Sequence, residues 1–537
     1  MLNFISTEVT SNLPTMLRHI LPEFTLLCLA LGVLIFDVFL PRTRPQAGEF
    51  LDDSNIFKNY NLTFYLSTLV LLIVLTLLYC QHNFFDLDTS LLDPVSYKLV
   101  NDMVSVDELS YILKMFMLVF VFGTFCLSNN FLTNNRMFSG EYYSMGLFSL
   151  LGMMILASSK NMLTIYLSLE LFSLPIYAMV AMQRNSAQAG EAALKYFVMG
   201  AIASGLILFG ISIVYGLTGS LVLADIANYT MQNAANSTPY ILGLLFICAG
   251  IAFKFGAAPF HMWMPDVYQG APTTVTLFIA TAPKLAAFGM AVRFLAEAFV
   301  NVTDSWGFIM MLIGLLSIAW GNIAAVSQTN FKRLLAYSGV SHMGFILLGL
   351  VAAAGSISLS ADHNMTQGVL GLSSSLFYAI TYALMSLAIF GFILMLGHGK
   401  YELSNISDYQ GLYYKKPWLS LLLLILLFSM AGVPPFVGFF SKFAIIRSLI
   451  AANYIYPAVI AVLFTVIGAF YYLKMVWLIF FMRPESHDSL NHSIQNQALE
   501  NINISQQTLI SLVCLLVLAL GLYSQGLMSW CVAVFVN

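Results

Sequence analysis

Long apolar runs separated by short polar connectors follow one another along almost the whole chain. A helix needs about 20 mostly apolar residues to cross a bilayer, and by this criterion the sequence predicts about fourteen crossings. They lie near residues 21–40, 61–80, 109–128, 142–158, 162–182, 193–217, 239–260, 273–296, 306–326, 334–354, 373–397, 418–449, 456–482 and 508–530. The pattern therefore predicts an all-α polytopic membrane protein.

Prolines interrupt two of these runs. The run 239–260 contains Pro259, and the run 418–449, which is too long for one straight span, contains Pro434 and Pro435 after Gly432. Proline removes a backbone donor and frees the carbonyl four residues earlier. Both segments are therefore predicted to be broken helices.

The two breaks suggest an internal repeat. Five helices separate them, and an odd number inverts the topology of the second unit; paired interrupted helices in two inverted halves are typical of ion-translocating folds. The sequence predicts N-terminal helices at 1–130, a first inverted five-helix repeat at 131–300, a second at 301–485, and a C-terminal connector with the last helix at 486–537.

Composition agrees with this class and excludes others. Hydrophobic residues make up 59% of the chain and charged residues 9%, against about 25% charged in a soluble domain. The net charge of −3 gives no indication of nucleic-acid binding. The six cysteines show no metal, haem or redox spacing, and no dinucleotide loop, P-loop or HExxH motif is found. We therefore expect no cofactor on this chain and energy from an ion gradient or from partner subunits.

The distribution of lysine and arginine predicts the orientation. Connectors after odd-numbered helices carry most of these residues, including Arg42, Arg44, Arg136, Arg184, Lys332, Arg333 and Lys400. These connectors are predicted to be cytoplasmic, which places both termini in the periplasm. The first apolar run has no small-residue cleavage site, so we expect a retained helix rather than a signal peptide.

Five ionisable residues lie well inside predicted spans. They are Glu170, Lys195, Lys254, Lys284 and Lys442. A charge at a helix centre costs about 3 kcal/mol on insertion scales, so these side chains must face the bundle interior, pair with one another or meet water.

Prolines accompany these charges. Glu170 precedes Pro175 by five residues, as Lys254 precedes Pro259. The carbonyl that each proline would free lies beside the charged residue, and broken backbone inside a membrane is tolerated where it lines protein or a water-filled cavity.

The same residues predict a proton path. A lysine whose carboxylate partner moves nearer or farther takes up and releases a proton, and Glu170 paired with Lys195 or Lys254 would form such a switch. His261, two helical turns beyond Lys254, and His342 add side chains that exchange protons near neutral pH.

Plainer roles remain open for each group. A buried lysine can serve as a helix-packing ion pair, and Glu191 and Lys195 have the order and spacing of an ordinary surface pair. His261 and His342 can be core histidines with satisfied hydrogen bonds. Arg293 lies near a span end and is predicted to reach the membrane interface.

Several stretches resemble the antiporter-like membrane subunits of respiratory complex I, the bacterial NADH-quinone oxidoreductase. The most specific runs from Lys254-Phe-Gly-Ala-Ala-Pro-Phe-His through Met-Trp-Met-Pro-Asp-Val-Tyr-Gln-Gly-Ala to Pro272. Asn161–Pro175, Leu334–Gly344 and Ala431–Phe443 resemble the fifth, tenth and twelfth helices of the family. The resemblance covers roughly residues 20 to 530.

The resemblance implies a proton-pumping module. Glu170 matches the glutamate of the family's fifth helix, and Lys195, Lys254, Lys284 and Lys442 match the lysines of its sixth, seventh, eighth and broken twelfth helices. His261 falls on a histidine of the family's hydrophilic axis. M-type members carry a glutamate where this chain has Lys442, and L-type members have a long lateral helix after the last regular spans; this chain ends at Asn537, so we expect the N type.

The resemblance also implies location and partners. It implies a multi-pass protein of the bacterial inner membrane, next to M-type, K-type and J-type subunits, with FMN, iron–sulfur clusters and quinone in partner subunits. Two other functions stay open, namely a large subunit of a multicomponent cation/proton antiporter and a membrane scaffold that does not pump.

Overall fold

The structure, a computed structural model, describes residues 20–39, 53–83, 102–134, 139–232, 238–358, 368–397, 403–482 and 503–536. These residues form an all-helical bundle. Its α-helices are α1 Leu21–Phe39, α2 Asp53–Asn83, α3 Glu108–Asn134, α4 Ser139–Ser158, α5 Met162–Val180, α6 Ala187–Thr218, α7 Leu223–Gln232, α8 Thr238–Phe255, α9 Trp263–Gly270, α10 Thr273–Ala280, α11 Ala282–Ala291, α12 Thr303–Val326, α13 Phe331–Ser358, α14 Val369–Leu396, α15 Leu412–Lys415, α16 Pro417–Ala431, α17 Val437–Ala451, α18 Ile455–Phe480, α19 Ile504–Leu522 and α20 Ser524–Val536. A π-helix, Val292–Ala298, continues α11.

Twelve helical segments in the described part of the chain are long and apolar enough to cross a membrane, which confirms the polytopic all-α class. Two predicted spans stand outside these twelve. The span at 142–158 corresponds to α4, with 20 residues, and the span at 418–449 corresponds to α16 and α17, with 15 residues each. The orientation prediction draws on Arg42, Arg44, Arg136 and Lys400, which lie outside the described residues, as do both chain ends.

Both predicted broken helices are present, but a glycine ends each first half. α8 stops at Phe255, before Gly256 with φ +73°, and α16 stops at Ala431, before Gly432 with φ +87°. The next N–H in each case returns five residues, from Ala257 to the Ala252 carbonyl at 2.8 Å and from Val433 to the Phe428 carbonyl at 3.0 Å. This is the left-handed glycine cap that closes many helices. The prolines lie beyond the caps and keep the helices from resuming.

The centre of the bundle consists of helices enclosed by other helices. Almost every residue of Thr273–Ala298 and of α14 is buried, and most of α13 is buried as well. Helices with one exposed apolar face surround this centre, as expected for a chain that meets lipid or neighbouring subunits. Lys284 and His342 are carried by central helices, so the fold places them far from lipid.

Candidate functional site

Lys254 is held by α5. It lies on the last turn of α8, and its ammonium donates to Ser173 Oγ at 2.9 Å and to Tyr177 Oη at 3.5 Å. Glu170 lies one turn before Ser173 on α5, and its Oε1 is buried with no hydrogen-bond partner among the described residues. The hydrogen-bond partners of Lys254 are therefore hydroxyls of α5, and not the Glu170 carboxylate that the sequence predicted as one possible partner.

Lys195 has different partners from the predicted Glu170. Its ammonium contacts Glu191 at 2.8 Å, the ordinary pair that the four-residue spacing predicts, and also Asp266 at 2.8 Å. The other Asp266 oxygen accepts from Arg333 at 2.8 Å. These residues line a pocket of about 170 Å³ formed by α6, α9 and α13.

Asp266 was not singled out by the charge analysis, although it lies inside the motif that carries the resemblance. Burial raises the pKa of its carboxyl, but hydrogen bonds and positive charge from Lys195 and Arg333 outweigh burial and lower it. Asp266 is therefore a fixed negative charge between a lysine of the first predicted repeat and an arginine of the second.

Lys284 is bound to the open end of the first broken helix. It is fully buried on α11, and its ammonium donates to the Phe255 carbonyl at 2.8 Å, with the Trp263 ring centroid at 5.2 Å. The sequence predicted a free Phe255 carbonyl beside a charge. In the structure this carbonyl accepts a hydrogen bond from Lys284 and not from Lys254, its neighbour in sequence.

Lys442 is bound to the open end of the second broken helix. From α17 its ammonium reaches back to the Met430 and Ala431 carbonyls, at 3.0 and 2.8 Å. The C-terminal end of a helix carries partial negative charge and attracts cations. The last carbonyls of α8 and α16 therefore play the same part, each opposite one lysine.

The two histidines have unequal surroundings. His342, buried on α13, contacts the Tyr378 hydroxyl with Nδ1 at 2.7 Å and the Tyr472 hydroxyl with Nε2 at 3.4 Å. Tyr472 in turn contacts Ser338. His261 is buried beside Tyr337, and its Nδ1 has no hydrogen-bond partner among the described residues. His342 has the satisfied hydrogen bonds of a core histidine, whereas His261 has an unused ring nitrogen.

Arg293 does not extend out of the bundle, and the prediction of an outward-reaching side chain is wrong. The side chain, in the π-helix after α11, is fully buried and binds both oxygens of Asp107 at 2.7 and 2.8 Å, the Ala157 carbonyl and Glu297. Lys160 completes the cluster through Glu297 at 2.9 Å. Burial raises the pKa of Asp107, but the charge and hydrogen bonds of Arg293 and the charge of Lys160 outweigh it and hold that pKa far below its usual range.

Sequence reasoning also missed buried charges near helix starts. Lys114 and Glu23 form an ion pair at 2.5 Å, buried between α3 and α1. Lys332, predicted as a connector charge, is buried at the start of α13, with the Ala271 carbonyl and Thr273 Oγ1 each at 3.3 Å. Lys114 and Glu23 have opposite charges and both lie inside or next to apolar runs. Opposite charges in two apolar runs are the sequence signal that could have predicted this pair.

Sequence comparisons with known proteins extend over most of this chain. The family described as NADH:quinone oxidoreductase/Mrp antiporter, TM, matches residues 159–468. NADH-quinone oxidoreductase subunit N of Alkalilimnicola ehrlichii is 45% identical over 429 residues, 80% of this chain and 83% of that protein. The subunit N of Ruthia magnifica is 39% identical over 536 residues, 99% of this chain and 100% of that protein.

Solved structures give the same fold. A chain of respiratory complex I from Thermus thermophilus has a TM-score of 0.68 at 27% identity and covers 95% of this chain and 98% of its own length. A chain of the Mrp complex from Dietzia has a TM-score of 0.73 at 18% identity, covering 96% and 97%, and shows the fold alone. Because both complexes share the fold, sequence identity separates them: this chain belongs to the subunit N family of NADH-quinone oxidoreductase, the antiporter-like, proton-translocating membrane subunits of respiratory complex I.

Proposed function

We propose that protons cross this chain along the row of Glu170, Lys254, Lys284, His342 and Lys442. Lys195, in its pocket with Asp266, lies where protons enter the path. His261, next to the first break, has a ring nitrogen that can accept a proton. Quinone reduction in partner subunits supplies the energy. This function rests on side chains that take up and release protons, so the chain itself needs no redox centre.

One observation carries the proposal, namely the lysine ammonium at the open end of each broken helix. A cation at a helix C-terminus is worth about 0.3–1 kcal/mol when exposed and up to about 2 kcal/mol when partly buried. A lysine that releases its proton loses this attraction. Proton release by Lys284 or Lys442 therefore loosens α8 or α16 at the break, which links proton occupancy to the position of the half-helix.

We also propose the number of membrane crossings and the internal repeat. α4 and the α16–α17 pair, added to the twelve apolar segments, give fourteen crossings in two inverted five-helix repeats, 131–300 and 301–485. The matching left-handed caps at Gly256 and Gly432 support the repeat. With fourteen crossings both termini lie on one side, the periplasmic side by the lysine and arginine bias.

The proposed function also implies partner subunits. M-type, K-type and J-type subunits of the inner-membrane arm flank this chain, and FMN, iron–sulfur clusters and quinone lie in other subunits. Among the described residues there is no group of three or more histidines, cysteines, aspartates or glutamates that could hold a metal ion.

Lys254→Ala in the complete complex tests the proton path. We expect normal assembly and fewer protons moved per NADH oxidised in sealed vesicles. Lys474→Ala, which removes an exposed lysine from α18, is the matched control and should pump like the parent. A wild-type proton ratio in Lys254→Ala, and likewise in Glu170→Ala, would leave the chain as a scaffold.

The fold shared with the Mrp chain supports one second candidate, cation/proton exchange. Exchange requires sodium or potassium to move against protons. Vesicles holding the complex, energised with NADH and loaded with labelled sodium, separate the two functions. Proton movement that is independent of sodium and potassium supports the proton path, whereas stoichiometric sodium movement would replace it with exchange.

A further inference from the structure

Met264 fills the space between Lys284 and a tyrosine of the second predicted repeat. It is fully buried on α9. A Cβ placed on Gly256 would lie 2.8 Å from Met264 Sδ and 3.7 Å from Lys284 Nζ. A Cβ placed on Gly339 would lie 2.5 Å from Met264 Cε and 2.8 Å from Tyr382 Oη. The sulfur of Met264 therefore lies near the Lys284 ammonium, and its methyl group lies near the Tyr382 hydroxyl.

Tyr382 leads to the histidine of the second repeat. Its ring centroid lies 5.2 Å from that of His342, which contacts the hydroxyls of Tyr378 and Tyr472. Groups that can exchange protons thus stand on both sides of Met264, with Lys284 on one side and the tyrosine–histidine cluster on the other.

A methionine interrupts such a row. Its thioether has no proton to donate and is a weak acceptor. The side chain is unbranched, with three rotatable bonds, and so adapts to irregular gaps. Two glycines make room for it here, since a Cβ at Gly256 or Gly339 would contact it closely. Apolar constrictions in membrane proteins gate by excluding water.

We propose that Met264 is a gate between the two halves of the proton path. In the position seen here its sulfur lies near the Lys284 ammonium and its methyl group near the Tyr382 hydroxyl. Rotation of its side chain admits water, and a proton then leaves the Lys284 ammonium, which becomes a neutral amine, and is accepted by His342, which becomes an imidazolium. Met264 acts through these groups as a positioning residue, and the gate rests on the proton path proposed above.

The test uses the complete complex in sealed vesicles with three variants of Met264. Met264→Ala leaves a space that water can enter, so we expect passive proton permeability to rise severalfold and the protons moved per NADH to fall. Met264→Phe fills the space with a stiffer side chain, so we expect a lower proton ratio without added leak. Met264→Leu keeps an apolar side chain of similar volume and should stay close to the parent.

Met117→Ala is the control for a simple cavity, because Met117 is equally buried but lies on α3. A wild-type proton ratio and unchanged permeability in Met264→Ala would overturn the gate. Met117→Ala leaking as much as Met264→Ala would overturn it as well. Lys284→Ala in the same assay separates the two proposals, since loss of pumping there with a silent Met264→Ala removes the gate and keeps the path.

Discussion

The two broken helices end alike but receive their lysines from different places. At the first break the ammonium on the Phe255 carbonyl comes from Lys284, on a separate central helix. At the second break the ammonium on Met430 and Ala431 comes from Lys442, on the second half of the same broken helix. The glycine cap depends on a few consecutive residues, so it occurs at both breaks. Which lysine binds the capped helix end depends on how the helices of each half pack.

A second difference lies two residues before each capping glycine. The first break has Lys254 there, and the second has Met430. The first half therefore brings two lysines to its break, one bound to α5 hydroxyls and one to the helix end. The second half brings one lysine and a histidine–tyrosine cluster. Under the proposed path, a proton would pass between two lysines in the first half, whereas the second half would depend on His342 and its tyrosines.

The largest effect is expected from arginine substitutions at both breaks, which test whether each lysine transfers protons or only caps a helix end. Lys284→Arg and Lys442→Arg keep a positive charge that does not dissociate at physiological pH. If proton release is the essential step, flux through this chain should fall by roughly tenfold or more in each variant, while assembly persists. Protons moved per NADH in vesicles measure it. Arginine variants that pump normally would show that a fixed charge is sufficient, and the proton role of that lysine would be withdrawn.

A smaller effect is expected from the anchor of the helix that carries Lys284. Asp107→Asn leaves Glu297 as the one carboxylate bound to the buried Arg293 among the described residues, beside the Ala157 carbonyl. Removing one partner of a buried pair costs about 3–5 kcal/mol, and we expect the lower end because Asp107 is 36% exposed. The thermal inactivation temperature of the purified complex should fall, and Asp225→Asn, an acidic residue on α7, should change it little.

The pH dependence of that effect has a definite sign. Because its folded pKa is depressed, Asp107 contributes stability that is fully present above its unfolded pKa of about 4 and is lost as the pH falls through the folded value. The stability difference between the parent and Asp107→Asn should stay constant from neutral to mildly acidic pH. A difference that grows or vanishes around pH 7 would contradict the assignment.

Alanine at the two capping glycines compares the breaks directly. A left-handed backbone costs a non-glycine residue about 1–2 kcal/mol, and this applies to both Gly256 and Gly432. At Gly432 the new Cβ would also lie 2.9 Å from Lys442 Cδ, whereas at Gly256 it would meet Met264 first. We expect Gly432→Ala to impair Lys442 directly and lower the proton ratio, with normal subunit content on gels. Equal effects of Gly432→Ala and an exposed Gly190→Ala would refute this.

The smallest effect is expected at the hydroxyl that binds Lys254. Ser173→Ala removes one hydrogen bond to a charged group, worth about 1.5–3 kcal/mol at most, while Tyr177 and Glu170 stay in place. Pumping should fall slightly at most, and Ser173→Ala combined with Tyr177→Phe should lower it further. A complete loss of pumping in the single variant would mean that Ser173 itself carries the proton.

The sequence by itself predicted the polytopic all-α class and about fourteen apolar spans, twelve of which the described structure contains as long helices, together with the two breaks; the residues of the proton path stay a prediction. Span length and a local glycine cap are properties of short stretches, so they can be read without knowing the neighbours. Only the tertiary structure decided which groups meet. Lys195 binds Asp266 rather than Glu170, Lys284 takes the Phe255 carbonyl, and Arg293 is buried against Asp107, 186 residues away. Partners so far apart are chosen by helix packing, which no local pattern specifies.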